Sequence, residues 1–244
     1  MSNIYLSGEY TNKNSSYHIE DSVYKWDNFQ KILSKSGIDF KSFKNIVEVG
    51  CGAGQIISGA KKSSMFNNCN FVGYDINPDA INIAKKLNES ISFINKDFFD
   101  SDLFGKTDLL ICADVFEHIE NSHEFLRKLA DGSKYLLFNI PLDINLLSLL
   151  RQENIFSNFY KNLGHLHFYS KKTALLILEH SGINIIDHSY AKFRLSHFPK
   201  GSLTIKRILS ILPQKIIDLI SEDLACVLMG GYSLVVLAKK KSKN

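Results

Sequence analysis

The chain has 244 residues, of which 45% are hydrophobic and 22% are charged, and its formal net charge is +4. This composition is ordinary for a globular protein and allows one large domain with a sizeable core. The excess positive charge lies in the final segment KKKSKN, so the rest of the chain is formally neutral. That balance argues against a broad nucleic-acid interface.

The cysteines and the apolar runs indicate the cellular compartment in which the protein is expected. Cys51, Cys69, Cys112 and Cys226 form no CxxC pair and lack the spacing of a small disulfide-stabilised domain. The N-terminal segment is polar, and no apolar run reaches the roughly 18 residues that a membrane helix needs. We therefore expect a reduced, cytoplasmic protein without a membrane partner.

Short apolar runs alternate with segments of helical spacing up to residue 140. The predicted strands are 45–49, 70–75, 91–94, 107–112 and 134–140. The predicted helices between them are 53–65, 78–89 and 118–130. This alternation predicts a parallel α/β sheet, whose ligands bind at the carboxyl ends of the strands.

The pattern changes after Pro141. A helix is predicted over 170–182, two further strands over 183–191 and 231–239, and helical stretches around 203–211 and 214–220. We expect a single domain over 1–244 with three additions to the sheet. These are an N-terminal helical lid (1–35) and two substrate-side insertions (141–168 and 196–230).

A glycine-rich turn follows the first predicted strand in the segment NIVEVGCGAGQI. Gly50, Gly52 and Gly54 alternate there, and such a turn lets the backbone approach a ligand closely. Gln55 stands where the dinucleotide fingerprint has Gly or Ala, and no Lys-Ser/Thr pair for phosphate follows. The turn therefore favours a ligand other than a dinucleotide or a nucleoside triphosphate.

Two carboxylates follow the next two predicted strands. Asp75 ends the second strand and is positioned to accept both hydroxyls of a ribose. Asp97 follows the third strand, where it can accept a hydrogen bond from an adenine amino group, although a helix cap explains such a residue too. A nucleoside without phosphates that needs close backbone approach is S-adenosylmethionine.

Four segments, VEVGCGAG, VGYDIN, NKDFF and DLLICADVFEHI, resemble the successive motifs of class I S-adenosylmethionine-dependent methyltransferases, most strongly over residues 40–140. The resemblance implies a Rossmann-like seven-stranded α/β sheet whose last strand is antiparallel. It also implies a cofactor site at the carboxyl ends of the strands. The residues of that site would be Glu48, Gly50, Cys51, Gly52, Gly54, Asp75, Ile76, Asp97, Phe98, Ala113 and Asp114.

A second group of polar residues follows the fourth strand. Asp114, Glu117 and His118 would share one face of a helix beginning near residue 115, and His165 and His167 alternate in the segment GHLHFYS. Carboxylates and imidazoles suit a divalent cation such as Mg²⁺ or Mn²⁺.

Similar Glu-x-x-Glu-His arrangements occur in ubiquinone-biosynthesis O-methyltransferases and small-RNA 2′-O-methyltransferases, which use the metal to bind substrate oxygens. Asp114 replaces the first Glu of that pattern. The predicted catalytic residues are Glu117, His118 and His165. A metal-free general base, His118 or His165, is an equal alternative.

The segment SSYHIEDSVYKWDNFQKIL resembles the capping helix of small-molecule methyltransferases. His18, Tyr24 and Lys25 are candidates for closing over cofactor and substrate, whereas Trp26 is expected to anchor the helix to the sheet.

We interpret the chain as a methyltransferase acting on an oxygen of a small polar metabolite. A sugar or nucleotide-linked sugar is the favoured acceptor, because bacterial glycan-modifying methyltransferases are similar in length and layout. The alternatives are an RNA 2′-O-methyltransferase and a non-catalytic S-adenosylmethionine-binding protein with a partner chain. The expected partners are the small-molecule acceptor and a second copy of the chain.

Overall fold

The structure, a computed structural model, describes residues 19–192 and 205–241. Its centre is a seven-stranded sheet with the order β3-β2-β1-β4-β5-β7-β6. The strands are β1 (Asn45–Val49), β2 (Asn70–Asp75), β3 (Ser92–Asn95), β4 (Thr107–Ala113), β5 (Ser133–Pro141), β6 (Ile183–Lys192) and β7 (Tyr232–Lys240).

The strand directions confirm the predicted fold class. Strands β1 to β5 pair in parallel, whereas β7 pairs antiparallel with both β5 and β6. The last strand is therefore the antiparallel member of a mixed sheet. The β1–β4 pair is central, so the carboxyl ends of these two strands open into the middle of one sheet edge.

Nine α-helices lie in the described part of the chain. They are α1 (Ile19–Lys35), α2 (Gln55–Lys62), α3 (Pro78–Leu87), α4 (Ser122–Gly132), α5 (Leu146–Leu150), α6 (Gln152–Asn158), α7 (Lys171–His180), α8 (Ile205–Ile220) and α9 (Glu222–Met229). In the described ranges, no helix is long and apolar enough to cross a lipid bilayer.

The core lies on both faces of the sheet. Alternate residues of β4 point to opposite faces: Leu110 and Cys112 join the cluster covered by α4, α7 and α9, and Leu109 and Ile111 join the one covered by α1, α2 and α3. Burial on both faces explains why the central strands are continuous apolar runs. Trp26 of α1 is buried in the second cluster and packs on Phe66, so it anchors the helix as expected.

Two helical boundaries differ from the sequence-based expectation. The helix predicted over 118–130 begins at Ser122, because the Asn121 side chain caps it by accepting a bond from the Glu124 N–H (3.2 Å). A separate 3₁₀ turn, Phe116–His118, precedes it. The two helical stretches predicted after residue 203 form one helix, α8, that continues through Pro213.

Candidate cofactor and catalytic site

A cleft opens at the carboxyl ends of β1, β2 and β4, beneath α1. The cleft is lined by ten of the eleven residues assigned to the cofactor by resemblance, and the remaining one, Gly54, forms the cap of α2 directly behind it. Sequence reasoning missed Ser22 of α1, Lys96 and Phe125, which also line the cleft. His18 of the expected lid lies outside the described residues.

The glycine turn after β1 requires glycine at two positions. Gly50 has φ +70°, and a Cβ there would lie 2.5 Å from the Val115 side chain. Gly54 has φ +75°, and its Cβ would lie 2.4 Å from the Phe93 ring. Both positions combine a left-handed backbone with a close approach, so a larger residue would strain the turn and displace its neighbours.

Glu48 is buried at the end of β1 and joins this strand to α2. Its Oε2 accepts a hydrogen bond from the Ile57 N–H (3.0 Å). Burial raises the pKa of Glu48 to about 8, although the Ile57 bond acts in the opposite direction. A cationic group bound in the cleft would favour the ionised carboxylate again.

Asp75 is fixed at the end of β2 by two backbone bonds. Its Oδ2 accepts from the Gly52 N–H (2.9 Å), and its Oδ1 accepts from the Asn77 N–H (2.8 Å). Burial raises the pKa of Asp75, and these N–H groups partly oppose that effect. Each carboxylate oxygen has a second lone pair available, and Asp75 lines the cleft.

Asp97 has a structural role as well as a place in the cleft wall. Its Oδ1 accepts from the Phe99 N–H (3.0 Å) and caps the 3₁₀ turn Phe98–Asp100. The hydrogen bond of this cap thus uses Oδ1 of the Asp97 carboxylate.

Asp114 joins the N-terminal helix to the floor of the cleft. Its Oδ2 lies 2.5 Å from Lys25 Nζ, and its Oδ1 accepts from the Asn139 side-chain amide (2.6 Å). Burial alone would raise the pKa of Asp114, but the Lys25 ammonium, together with the Asn139 amide, more than offsets it and the pKa is lowered. The backbone at Asp114 is left-handed (φ +53°), a conformation that Asp tolerates better than most residues.

Glu117 lies next to the cleft and is fully buried. Within the described part of the chain, neither of its carboxylate oxygens has a hydrogen-bond partner. Burial raises the pKa of Glu117, and the neighbouring Asp114 charge adds to the effect. A carboxylate in this position has a large unmet requirement for a cation or a proton donor.

Two imidazoles face this carboxylate. His118 Nδ1 lies 2.9 Å from the carbonyl oxygen of Gly164, which can only accept, so a neutral ring carries its proton on Nδ1. Burial lowers the pKa of His118 to about 4, although the Gly164 bond acts in the opposite direction. The lowered pKa favours the neutral ring. Its Nε2 lies 3.8 Å from Glu117 Oε1.

His165 approaches from the segment between β5 and α7. Its ring centroid lies 5.0 Å from that of His118. One candidate ligand atom from each of Glu117, His118 and His165 lies within 4.8 Å of the others. The backbone oxygen of Glu117 accepts from the N–H groups of Leu166 (2.9 Å) and His167 (3.0 Å), which holds the two segments together.

Two other residues proposed as metal ligands lie outside this group. Asp114 is paired with Lys25 and Asn139, and His167 Nε2 lies 2.9 Å from the carbonyl oxygen of Ile119. Because that carbonyl can only accept, a neutral His167 ring has its proton on Nε2.

Asp143 is a site residue that sequence reasoning missed. Its Oδ2 lies 2.7 Å from His165 Nδ1, and both side chains are largely buried. The available signal was its position shortly after β5, because residues that follow parallel strands lie at the sheet edge where ligands bind.

The strand order, the antiparallel last strand and the glycine turn facing an acidic residue at the end of β2 define a class I S-adenosylmethionine-dependent methyltransferase fold. The model of the family described as "Methyltransferase domain" matches residues 21–188, and the chain belongs to this family.

Similarity to individual proteins is more distant. The chain is 25% identical over 170 residues to the mitochondrial ubiquinone biosynthesis O-methyltransferase of Saccharomyces cerevisiae, a match that covers 63% of this chain and 53% of the relative. The match therefore spans about half the length of that curated relative.

Two solved structures share the fold. An S-adenosylmethionine-dependent methyltransferase from Archaeoglobus fulgidus has a TM-score of 0.57 and 20% identity, covering 92% of this chain and 100% of that one. The magnesium protoporphyrin IX methyltransferase from Synechocystis, solved with bound S-adenosylhomocysteine, has a TM-score of 0.57 and 19% identity, covering 92% and 85%.

Proposed function

We propose that this methyltransferase transfers a methyl group from S-adenosylmethionine to a hydroxyl oxygen of a small polar acceptor. The observation that carries the proposal is the buried group of Glu117, His118 and His165, since His118 itself lines the cofactor cleft. A hydroxyl with a pKa far above 7 must lose its proton as it is methylated. A polar group at the cleft wall meets that requirement.

The residues of the cleft fit the cofactor. Gly52 of the glycine turn lines the cleft where a Cβ would meet only open space, and the Asp75 oxygens have lone pairs that their backbone bonds do not use. Glu48 would lie near the methionine part, as the family resemblance implies. Bound S-adenosylmethionine supplies an already activated methyl group, so the protein mainly aligns the acceptor and excludes water.

The unpartnered carboxylate of Glu117 favours a divalent cation, Mn²⁺ or Mg²⁺, held by Glu117, His118 and His165. Such a cation would bind acceptor oxygens and lower the pKa of the hydroxyl. The alternative is proton removal by an imidazole alone. The Asp143–His165 pair supports that alternative, because a buried carboxylate can orient an imidazole as a general base.

The proposal is tested by measuring release of S-adenosylhomocysteine with a panel of nucleotide-linked sugars, simple phenols and an RNA oligonucleotide. We expect turnover with a small hydroxyl compound, and we place nucleotide-linked sugars first. Methylation of the RNA alone would favour the 2′-O-methyltransferase alternative. Cofactor binding without turnover on any acceptor would favour the non-catalytic one.

The cation is tested with the same assay. We expect turnover to fall when a chelator strips the protein and to return when Mn²⁺ or Mg²⁺ is added, because Glu117 loses its counter-charge. Full turnover in excess chelator, with metal-free protein confirmed by elemental analysis, would reject the cation and leave the imidazole base.

Asp143 is proposed to position His165 by accepting a bond from its Nδ1–H, which leaves Nε2 as the acceptor. Nitrogen-15 NMR of the imidazoles should show His165 and His118 protonated on Nδ1. His167 should be protonated on Nε2 and serves as an internal control, because it has the opposite tautomer. In Asp143→Asn the Nε2–H form of His165 should appear, because an amide can also donate, and turnover should fall about 10–100-fold. Wild-type His165 protonated on Nε2 would contradict this role.

A further inference from the structure

Asn139 is a buried amide in an otherwise apolar stretch of β5. Its neighbours Leu137, Phe138 and Ile140 are fully buried, and Asn139 is itself only 1% exposed. Its Oδ1 has no hydrogen-bond partner in the part of the chain that the structure describes. Because an unpaired polar atom in a core lowers stability, an apolar residue would suit this position better on packing grounds alone. A polar side chain here therefore calls for a reason other than packing.

Asn139 contacts Asp114, the residue that follows β4, through two separate atoms. The backbone carbonyl of Asn139 accepts from the Asp114 N–H (3.0 Å), and Nδ2 of Asn139 donates to Asp114 Oδ1 (2.6 Å). Strands β4 and β5 pair as far as Ala113 and Asn139, so the backbone bond carries their pairing one residue further. One residue of β5 thus fixes both the main chain and the side chain of Asp114.

Asp114 has a backbone conformation that needs such support. Its φ of +53° is left-handed, and Asn68 is the only other non-glycine residue with a positive φ in the described ranges. Asn68 lies in the loop before β2 and does not line the cleft, whereas Asp114 does. Sparsely populated conformations persist only where neighbouring contacts enforce them, and they are common at ligand-binding sites. The two bonds from Asn139 are contacts of this kind.

The side-chain bond also determines the direction of the Asp114 carboxylate. Its Oδ1 faces the Asn139 amide, and its Oδ2 lies 2.5 Å from Lys25 Nζ. A carboxylate with a donor on each oxygen cannot rotate without breaking one of these bonds. The Asn139 amide therefore fixes how Asp114 presents Oδ2 to Lys25 of α1. Both Asp114 and Lys25 line the cofactor cleft, whereas Asn139 lies behind it.

We propose that Asn139 is a positioning residue for S-adenosylmethionine binding and that it acts through Asp114. Its two bonds place the Asp114 carboxylate, and with it the Lys25 ammonium, at the wall of the cleft before the cofactor binds. Affinity is higher when the binding groups are already in place, because less ordering is needed on association. The inference rests on the proposed cofactor and is independent of the acceptor, the cation and the imidazole base.

The test is isothermal titration calorimetry with S-adenosylhomocysteine on the wild type, Asn139→Ala, Asp114→Gly and the double variant. Glycine is chosen at position 114 because it adopts a left-handed backbone without strain. We expect Asn139→Ala to bind about tenfold more weakly than the wild type, through loss of a hydrogen bond to a charged group. Asp114→Gly should bind at least as weakly. The double variant should bind no more weakly than Asp114→Gly, because the amide acts only through this carboxylate.

Two further variants separate positioning from folding. Asn139→Leu keeps the branched shape of the side chain without the donor, so it avoids the cavity that Asn139→Ala creates, and it should bind as weakly as that variant. Asn45→Ala removes an amide that donates to the Lys106 carbonyl (3.0 Å) at the opposite ends of the strands, so it should bind as the wild type does.

A lower thermal unfolding temperature of Asn139→Leu with wild-type affinity would leave Asn139 a structural role alone and overturn the proposal. Losses that add up in the double variant would overturn it as well, because the amide would then act independently of Asp114. A wild type that does not bind S-adenosylhomocysteine would reject the cofactor assignment itself, and the proposal with it.

Discussion

Glu117→Gln is expected to reduce turnover by more than about 100-fold while leaving cofactor affinity nearly unchanged. Glutamine keeps the volume of the buried side chain but removes the charge that would hold a cation. Removing a residue that hydrogen-bonds a metal ligand already lowers metal affinity or activity about 10–100-fold, and removing the ligand itself lowers them further. Cofactor affinity is expected to survive because Glu117 is absent from the lining of the cleft.

A second measurement on the same variant does not depend on activity. Mn²⁺ should raise the thermal unfolding temperature of the wild type, because a ligand that binds only the folded state stabilises it. Mn²⁺ should leave the thermal unfolding temperature of Glu117→Gln unchanged. Glu124→Gln serves as the matched control, since Glu124 is an exposed carboxylate paired with Lys128 on α4. Wild-type turnover in Glu117→Gln would remove this residue from the proposed mechanism.

Asp75→Ala is expected to weaken S-adenosylmethionine binding by about 2–3 kcal/mol, the cost of charge-assisted hydrogen bonds lost in a closed site. Isothermal titration calorimetry with cofactor or product measures it directly. Part of the loss has a structural origin, because Asp75 also accepts from the N–H groups of Gly52 and Asn77. Its removal therefore loosens the glycine turn as well.

The control for this variant is Asp79→Ala. Asp79 lies four residues further on, in the exposed first turn of α3, and is absent from the cleft lining. Its removal should leave affinity unchanged. If a folded Asp75→Ala protein bound the cofactor as tightly as the wild type, the ribose assignment would have to be abandoned.

The sheet could be predicted because its signals are local. Each central strand is an apolar run, and Pro78 after the capping Asn77 marks the start of α3. Parallel topology then places the carboxyl ends of the strands along one edge of the sheet. The sequence alone therefore predicts that the glycine turn and Asp75 are neighbours.

The polar contacts of the site could not be predicted in the same way. Lys25 of α1 meets Asp114, and Asp143 meets His165, through tertiary contacts that the local pattern of neither segment determines. The sequence placed His165 and His167 on one face of an extended segment, but their ring nitrogens bond in different directions, to Asp143 and to the Ile119 carbonyl. Such choices depend on backbone groups that only the folded chain brings within reach.

The double backbone bond at Glu117 bears on how variants of this protein can be interpreted and engineered. The carbonyl of Glu117 holds Leu166 and His167 through main-chain atoms, which every residue type except proline at the donor positions can supply. The spacing of the two backbone segments that carry Glu117 and His165 is thus held by bonds that do not involve the Glu117 side chain. Exchanging Glu117, His118 or His165 for other donor types should leave the frame intact, which makes this position suitable for altering ion preference one substitution at a time.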